Sequence, residues 1–236
     1  MASRFIVLEG IDGSGISTQV EALRVWCVKN SVNVFVTKEP SDGLIGAQLK
    51  SALIHRVSYS PEVMALLFTA DRLDHLEHDI VPRLEHGVSV ISDRYYLSSF
   101  AYQGEDLPID RLRMFNSSCL RPDITLFLDV PVEESLKRWS TDVWRSHDRL
   151  QLYEKEDVLT RVRERYLDLI ATLRSEGERI EVVDGRLSIE AVSEVVISLS
   201  EPFLLDNGDD RPREHARFAP HGDIPAMLRV PPETET

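Results

Sequence analysis

This chain is short of cysteine, of long apolar runs and of basic residues. Only Cys27 and Cys119 are present, so neither a disulfide framework nor a cysteine metal site with ligand spacing is available. Both sit among apolar neighbours, which fits small buried side chains. No run of about 18 apolar residues occurs, which argues against a membrane-spanning helix. The start of the chain lacks the basic and then apolar order of a signal peptide, so the expected location is the cytoplasm. Lys and Arg number 27 against 40 Asp and Glu, a formal net charge of −13. Broad binding to nucleic acid depends on phosphate neutralisation and is not expected, although a local basic pocket for a small phosphorylated ligand is compatible with that charge.

What is present suits one globular domain with an appendage: 236 residues, 42% of them hydrophobic. Five short β-branched runs recur with helical patterns between them: Phe5–Glu9, Val32–Lys38, Val88–Asp93, Ile124–Asp129 and Ile180–Asp184. Alternating strands and helices predict a five-stranded parallel sheet, covered by helices on both faces. The runs are almost continuously apolar, as strands buried on both faces should be. Residues Leu66, Ala70, Leu73, Leu76, Ile80 and Leu84 trace one helical stripe between Pro61 and Gly87. Val158, Val162, Tyr166, Leu169 and Leu173 trace another. Val20, Leu23 and Cys27 mark a helix after the first strand, and Ile189, Val192 and Val196 mark a last one over Ser188–Leu199. From about residue 203 the sequence turns polar and rich in turn formers, so 203–236 is expected to be a flexible tail following a domain of residues 1–202.

The chemistry is expected to begin at Gly10-Ile11-Asp12-Gly13-Ser14-Gly15-Ile16-Ser17-Thr18. Strand, glycine-rich turn and helix aim backbone N–H groups and a helix dipole at one point, which suits a phosphate chain. The spacing fits the phosphate-binding loop G-x-x-x-x-G-K-[ST] except that Ile16 stands where the lysine should be. In such sheets ligands gather at the carboxyl ends of strands. Those ends carry Lys38-Glu39-Pro40, Asp93-Arg94-Tyr95 and Asp129. A carboxylate such as Asp93, with the Ser17 hydroxyl, can hold Mg²⁺, and Arg94 can clamp phosphate oxygens through two N–H groups. Phe68 lies about 200° around the helix from Leu66, with Arg72 one turn further on, so an aromatic face and a guanidinium could together receive a planar base.

These blocks, together with Leu67-Phe68-Thr69-Ala70-Asp71-Arg72 and Ser98-Ser99-Phe100-Ala101-Tyr102-Gln103-Gly104, resemble the thymidylate kinases over about residues 4–200. The resemblance implies a three-layer P-loop kinase fold, usually a homodimer. It also implies transfer of the terminal ATP phosphate to thymidine monophosphate with Mg²⁺. The loop Gly10–Thr18 would hold the donor phosphates. Phe68 would stack on thymine while Arg72 and Gln103 bond its edge, Asp12 would approach the sugar 3′-hydroxyl, and Tyr102 would pack near the deoxyribose. Lys38, Glu39 and Ser98 would complete the monophosphate site, and Arg94 would contact phosphate. Asp93 and Ser17 would serve the metal.

A lid over residues 140–152 is implied as well, with Arg138, Arg145 and Arg149 as phosphate ligands. Lys38 replaces the family's usual arginine and loses its fork. Ile16 removes a charge that phosphoryl transfer ordinarily uses, so Arg149 and then Arg145 are the expected catalytic substitutes. Three readings stand at this point: a working thymidylate kinase, a nucleotide-binding homologue impaired by Ile16, and a kinase for another pyrimidine monophosphate.

Overall fold

The computed structural model of the protein describes residues 3–140 and 149–205, with side chains for 3–138 and 156–205. Strands β1 (Phe5–Gly10), β2 (Val34–Lys38), β3 (Ser89–Asp93), β4 (Ile124–Asp129) and β5 (Ile180–Asp184) pair in parallel in the order β2-β3-β1-β4-β5. The architecture is the expected α/β one. Alternation along β1 sends Phe5 and Val7 to one face and Ile6 and Leu8 to the other. On the second face lie α1 (Ile16–Lys29) and α9 (Ile189–Leu204), through Val20, Leu23, Cys27, Val192 and Val196. The first face carries α3 (Pro61–His75), α4 (Val81–Glu85), α5 (Tyr96–Gln103), α6 (Ile109–Phe115) and α8 (Arg149–Ser175). Helices α2 (Leu44–Leu53) and α7 (Val132–Ser140) flank the strand tips.

Four expectations need adjusting. Burial on both faces holds for the central strands, but edge strand β2 is only half-buried and Val182 of β5 is exposed. In α8 the stripe Val162, Tyr166, Leu169 and Leu173 is buried as expected, whereas Val158 faces out and Leu159 takes its place. The segment from Pro61 does run on to Glu85, as α3, a π-helical turn at Leu76–Ile80 and α4. Its first half, however, turns the opposite way from the expected stripe. Leu66 is 43% and Leu73 36% exposed, while Ala65, Thr69, Asp71, Arg72 and His75 are buried. The inward face of α3 is polar because it borders a polar site, so hydrophobic spacing pointed to the wrong side.

Helix α9 also outruns its expected end at Leu199 and continues to Leu204 through Pro202. Proline forfeits one backbone hydrogen bond in the last turn, and burial of Leu204 with packing of Phe203 outweighs it. Helix α9 thus includes 203 and 204, where the tail is expected to begin, and 206–236 lies outside the described residues.

Gly46 marks the tightest approach between α2 and the loop after β2. A Cβ there would overlap the Ser41 carbonyl oxygen and stand 2.9 Å from Asp71 Oδ1. That loop is tied down by Asp71, which accepts from Ser41 N at 2.8 Å and Ser41 Oγ at 2.6 Å. Gly46→Ala is expected to destabilise by about 1–3 kcal/mol, read as a fall in Tm of roughly 2–10 °C by calorimetry. An unchanged Tm would show that the loop can yield.

Candidate active site

Register brings the strand tips together: Leu8 and Lys38 both pair with Asp93, and Gly10 pairs with Leu128. Between β1 and α1 the chain passes through Gly13 at φ 79° and Gly15 at φ 96°, left-handed conformations that admit the tight turn. Ser14 N bonds Ile11 O at 3.1 Å, and Ser14 is buried against Gly10. Helix α7 buttresses the turn, since Ser135 Oγ donates to the Asp12 carbonyl and the Ser135 carbonyl leaves no room for a Cβ on Gly13. Thr18 is exposed on α1. Ile16, the first residue of α1, is 5% exposed and packs in the apolar cluster between sheet and helices. It presents no charge to the loop. Two guanidinium groups touch the loop instead: Arg94 Nη1 donates to Gly10 O at 2.8 Å, and Arg138 Nη1 approaches Ser14 O at 3.5 Å. Arg138 is held in place by Gly185 O at 2.9 Å and Glu134 Oε1 at 3.3 Å.

At the loop's mouth Ser17 Oγ donates to Asp93 Oδ2 at 2.6 Å. Among the described residues no cluster of three or more His, Cys, Asp or Glu side chains could hold a metal. An exposed hydroxyl beside a carboxylate nevertheless fits Mg²⁺, which takes hard oxygens and usually keeps waters and substrate phosphates as its other ligands. Lys38, in register with Asp93, is exposed at the same edge.

Arg94 joins the two halves of the site. It adopts φ 73° as the chain leaves β3. Its Nη2 bonds Asp12 Oδ1 at 2.8 Å, and its Nη1 also reaches Ser98 Oγ at 3.1 Å. Its guanidinium lies 5.6 Å from the Tyr102 ring centroid, and Tyr102 Oη accepts from Asp12 N at 3.1 Å.

Beneath it lies Glu9, wholly buried, a residue the sequence reading passed over. Glu9 Oε1 accepts from Tyr95 N at 2.9 Å and Ser98 N at 3.1 Å. Its Oε2 accepts from Ser98 Oγ at 2.6 Å and Tyr166 Oη at 3.1 Å. Burial pushes this carboxyl up from 4.5 to about 7, against the opposing pull of Ser98, Arg94 and the Tyr95 N–H. An acid in the middle of an otherwise apolar strand run was the signal that could have found it.

On the acceptor side, Arg72 is 1% exposed. Its Nε bonds Glu39 Oε2 at 2.8 Å, its Nη1 bonds Asn116 Oδ1 at 2.5 Å, and its Nη2 bonds Ser99 Oγ at 2.9 Å. Glu39 heads a cis peptide bond to Pro40, and its Oε1 lies 3.6 Å from His75 Nδ1. His75 Nε2 in turn pairs with Thr37 Oγ1 at 2.7 Å. Ser99, Asn116 and His75 were not foreseen, because side chains at those separations carry no spacing signal. Phe68 is half-buried on α3, opposite Leu66. Gln103 ends α5 with its Oε1 buried and without a hydrogen-bond partner. Both thiols are buried, which pushes Cys27 to about 11 and Cys119 to about 12, so neither serves as a nucleophile. Asp129, the remaining strand-end acid, is taken up by Arg163 at 2.7 and 3.0 Å. Arg145 lies outside the described residues, as do the Arg149 side chain and most of the 140–152 lid.

A glycine-rich loop opening a helix beside a hydroxyl–carboxylate pair, on a parallel sheet ordered 2-3-1-4-5, defines a phosphate-binding-loop phosphotransferase. Comparison with known proteins narrows that class. The family model described as Thymidylate kinase matches residues 8–196. A probable thymidylate kinase of Pyrococcus abyssi is 38% identical over 212 residues, covering 87% of this chain and 99% of its own. A probable thymidylate kinase of Pyrobaculum calidifontis is 40% identical over 194 residues, 81% of this chain and 93% of its own. A thymidylate kinase of Nitrosomonas eutropha is 39% identical over 206 residues, 85% and 93% respectively. The chain belongs to the thymidylate kinase family.

The Glu9 carboxyl makes stability depend on pH. It faces Ser98 of α5, the Tyr95 N–H, Arg94 and Tyr166 of α8. Its folded-state affinity for a proton is raised, so the stability it contributes is full below about pH 4.5 and is lost as the pH rises through about 7. The span is on the order of 3 kcal/mol. Urea unfolding at pH 5.5 and 7.5 should show wild type losing stability upward and Glu9→Gln losing distinctly less. Equal slopes would rule the carboxyl out as the source.

Proposed function

We propose that the protein transfers the terminal phosphate of ATP to thymidine monophosphate, giving thymidine diphosphate. The observation that carries this is Arg94, whose one guanidinium spans the phosphate loop at Gly10 and Asp12 and the acceptor-side helix at Ser98. A phosphoryl group passing between two nucleotides needs a fixed cation at that junction, because catalysis of this transfer is positioning plus charge stabilisation.

The donor phosphates sit on the backbone N–H groups from Asp12 to Thr18, at the positive end of α1. Ser17 and Asp93 would hold Mg²⁺, which would supply further neutralisation of the phosphate charge. On the acceptor side Phe68 stacks on the thymine, and the buried fork of Arg72 and the unpartnered amide oxygen of Gln103 meet its polar edge. A pyrimidine ring N–H is the complementary donor to that oxygen. Asp12 and Tyr102 border the deoxyribose, with Glu39 fixing Arg72 and Lys38 flanking the phosphate. The kinase domain runs through α9, past the expected boundary at 202. Val63, Leu66 and Leu73 expose apolar surface on the outer side of α3, which a second copy of the chain would cover in a homodimer. Among the described residues no helix is long and apolar enough to cross a membrane, and we place the enzyme in the cytoplasm with its two substrates.

A coupled assay with thymidine monophosphate, ATP and Mg²⁺ tests this reading. Wild type should turn over, and Asp93→Ala should lose about 10²–10³ in kcat. Turnover no higher than that of Asp93→Ala, or faster turnover of uridine monophosphate, would overturn it. Ile16→Lys probes the missing lysine. With Arg94 and Arg138 already on the loop's carbonyls, the gain should stay below the roughly 10²–10³ that one preorganised donor commands. A gain of that size would mean that neither arginine supplies the charge.

A further inference from the structure

Glu9 is a wholly buried carboxyl with a dense set of hydrogen bonds and no place yet in the reaction. It points from the middle of the sheet to the start of α5, a helix whose N-cap residue Tyr95 makes no side-chain cap. Helix N-termini carry unsatisfied N–H groups. Glu9 Oε1 satisfies two of them from a different strand, Tyr95 N at 2.9 Å and Ser98 N at 3.1 Å. The carboxylate thus performs the capping that the local sequence omits, and its charge matches the helix dipole.

The second oxygen works through a hydroxyl. Ser98 Oγ donates its only proton to Glu9 Oε2 at 2.6 Å, which leaves its lone pairs for Arg94 Nη1 at 3.1 Å. Tyr166 Oη, from α8, shares its one proton between the same oxygen at 3.1 Å and Ser98 Oγ at 2.8 Å. Two backbone N–H groups and the Ser98 hydroxyl donate to Glu9, an arrangement that suits the ionised carboxylate, which only accepts. Arg94 needs such support because it leaves β3 in a left-handed conformation, φ 73°, which a non-glycine residue adopts at a cost.

We propose that Glu9 is a positioning residue for phosphoryl transfer: through Ser98 and the first turn of α5 it fixes where the Arg94 guanidinium meets the phosphate. This rests on the kinase reading above. Glu9 touches neither substrate, so its effect passes entirely through Arg94. Because Arg94 also donates to Gly10 O and Asp12 Oδ1 of the donor loop, the effect reaches both sides of the transfer.

The test uses Glu9→Gln, which keeps the volume but sets an amide N–H₂ against donors, so that Ser98 accepts from the amide and no longer serves Arg94 fully. In the coupled assay kcat/KM for thymidine monophosphate should fall by about 10–100-fold, the magnitude usual for a supporting-shell partner. Made on an Arg94→Ala background, Glu9→Gln should cost nothing further, because both changes remove the same interaction. Calorimetric binding of thymidine monophosphate to wild type and Glu9→Gln gives the same comparison without turnover. An equal loss on both backgrounds, or no loss at all, would overturn the proposal. A wild type that neither binds nor phosphorylates thymidine monophosphate would remove the kinase reading and this inference with it. A competent wild type matched by Glu9→Gln would remove the inference alone.

Discussion

The bond network on the Arg94 guanidinium is the constraint on which the site depends. Three elements that are distant in the chain meet there: the phosphate loop through Gly10 and Asp12, the end of β3, and α5 through Ser98. The sheet makes this possible. With β1 between β3 and β4, the tips bearing the loop and the Asp93-Arg94 pair are adjacent and in register. A parallel sheet buried on both faces offers no latitude in that register, since a slip of one residue would turn every apolar side chain the wrong way. Site precision is therefore inherited from core packing, and the loops add only the last few ångströms.

Much of this was legible in the sequence, for a definable reason. Strand runs such as Ile124–Asp129 are apolar, short and bounded by turn formers, and a run of that kind has one plausible fate. The glycine loop is legible because its backbone angles restrict which residues can occupy it. Failure came where polar function replaced apolar packing. Along α3 the inward face carries Thr69, Asp71, Arg72 and His75, so the hydrophobic periodicity of Leu66 and Leu73 marks the outer side. Phe68 lies opposite Leu66 on that helix and is half-buried. The premise that Leu66 faced the core was wrong. Partners such as Asn116 and Ser99 on Arg72 were invisible because a hydrogen bond between residues 44 or 27 positions apart leaves no trace in local spacing.

The buried charges sharpen a question of stability. Glu39 and Arg72 are 3% and 1% exposed at their side chains and 2.7 Å apart. An apolar pair of similar volume would hold this region at least as well, because desolvating two ions offsets most of their attraction. Their retention makes sense only if the fork's direction matters, and a rigid, pre-paired guanidinium loses little freedom when it meets a ligand edge. The same holds for Glu9, whose burial penalty is large enough to move its proton affinity toward neutrality.

Ile16 belongs to the same economy of charge. In the usual loop a lysine brings its own positive charge to the phosphates, supplied locally and independently of the sheet. Here that position faces the core with Val20 and Leu23, and the positive charge at the loop belongs to arginines whose anchors lie elsewhere. Arg94 is set by Glu9 and α5, and Arg138 by Gly185 and Glu134. A lysine on a flexible stem tolerates small errors in its surroundings, whereas a guanidinium held by three acceptors transmits them. Moving the charge from the loop to the strand tips thus makes phosphate binding depend on tertiary packing. It follows that substitutions beneath the site, at Glu9, Ser98 or Tyr166, should weigh more heavily on this chain than on a relative that keeps its loop lysine.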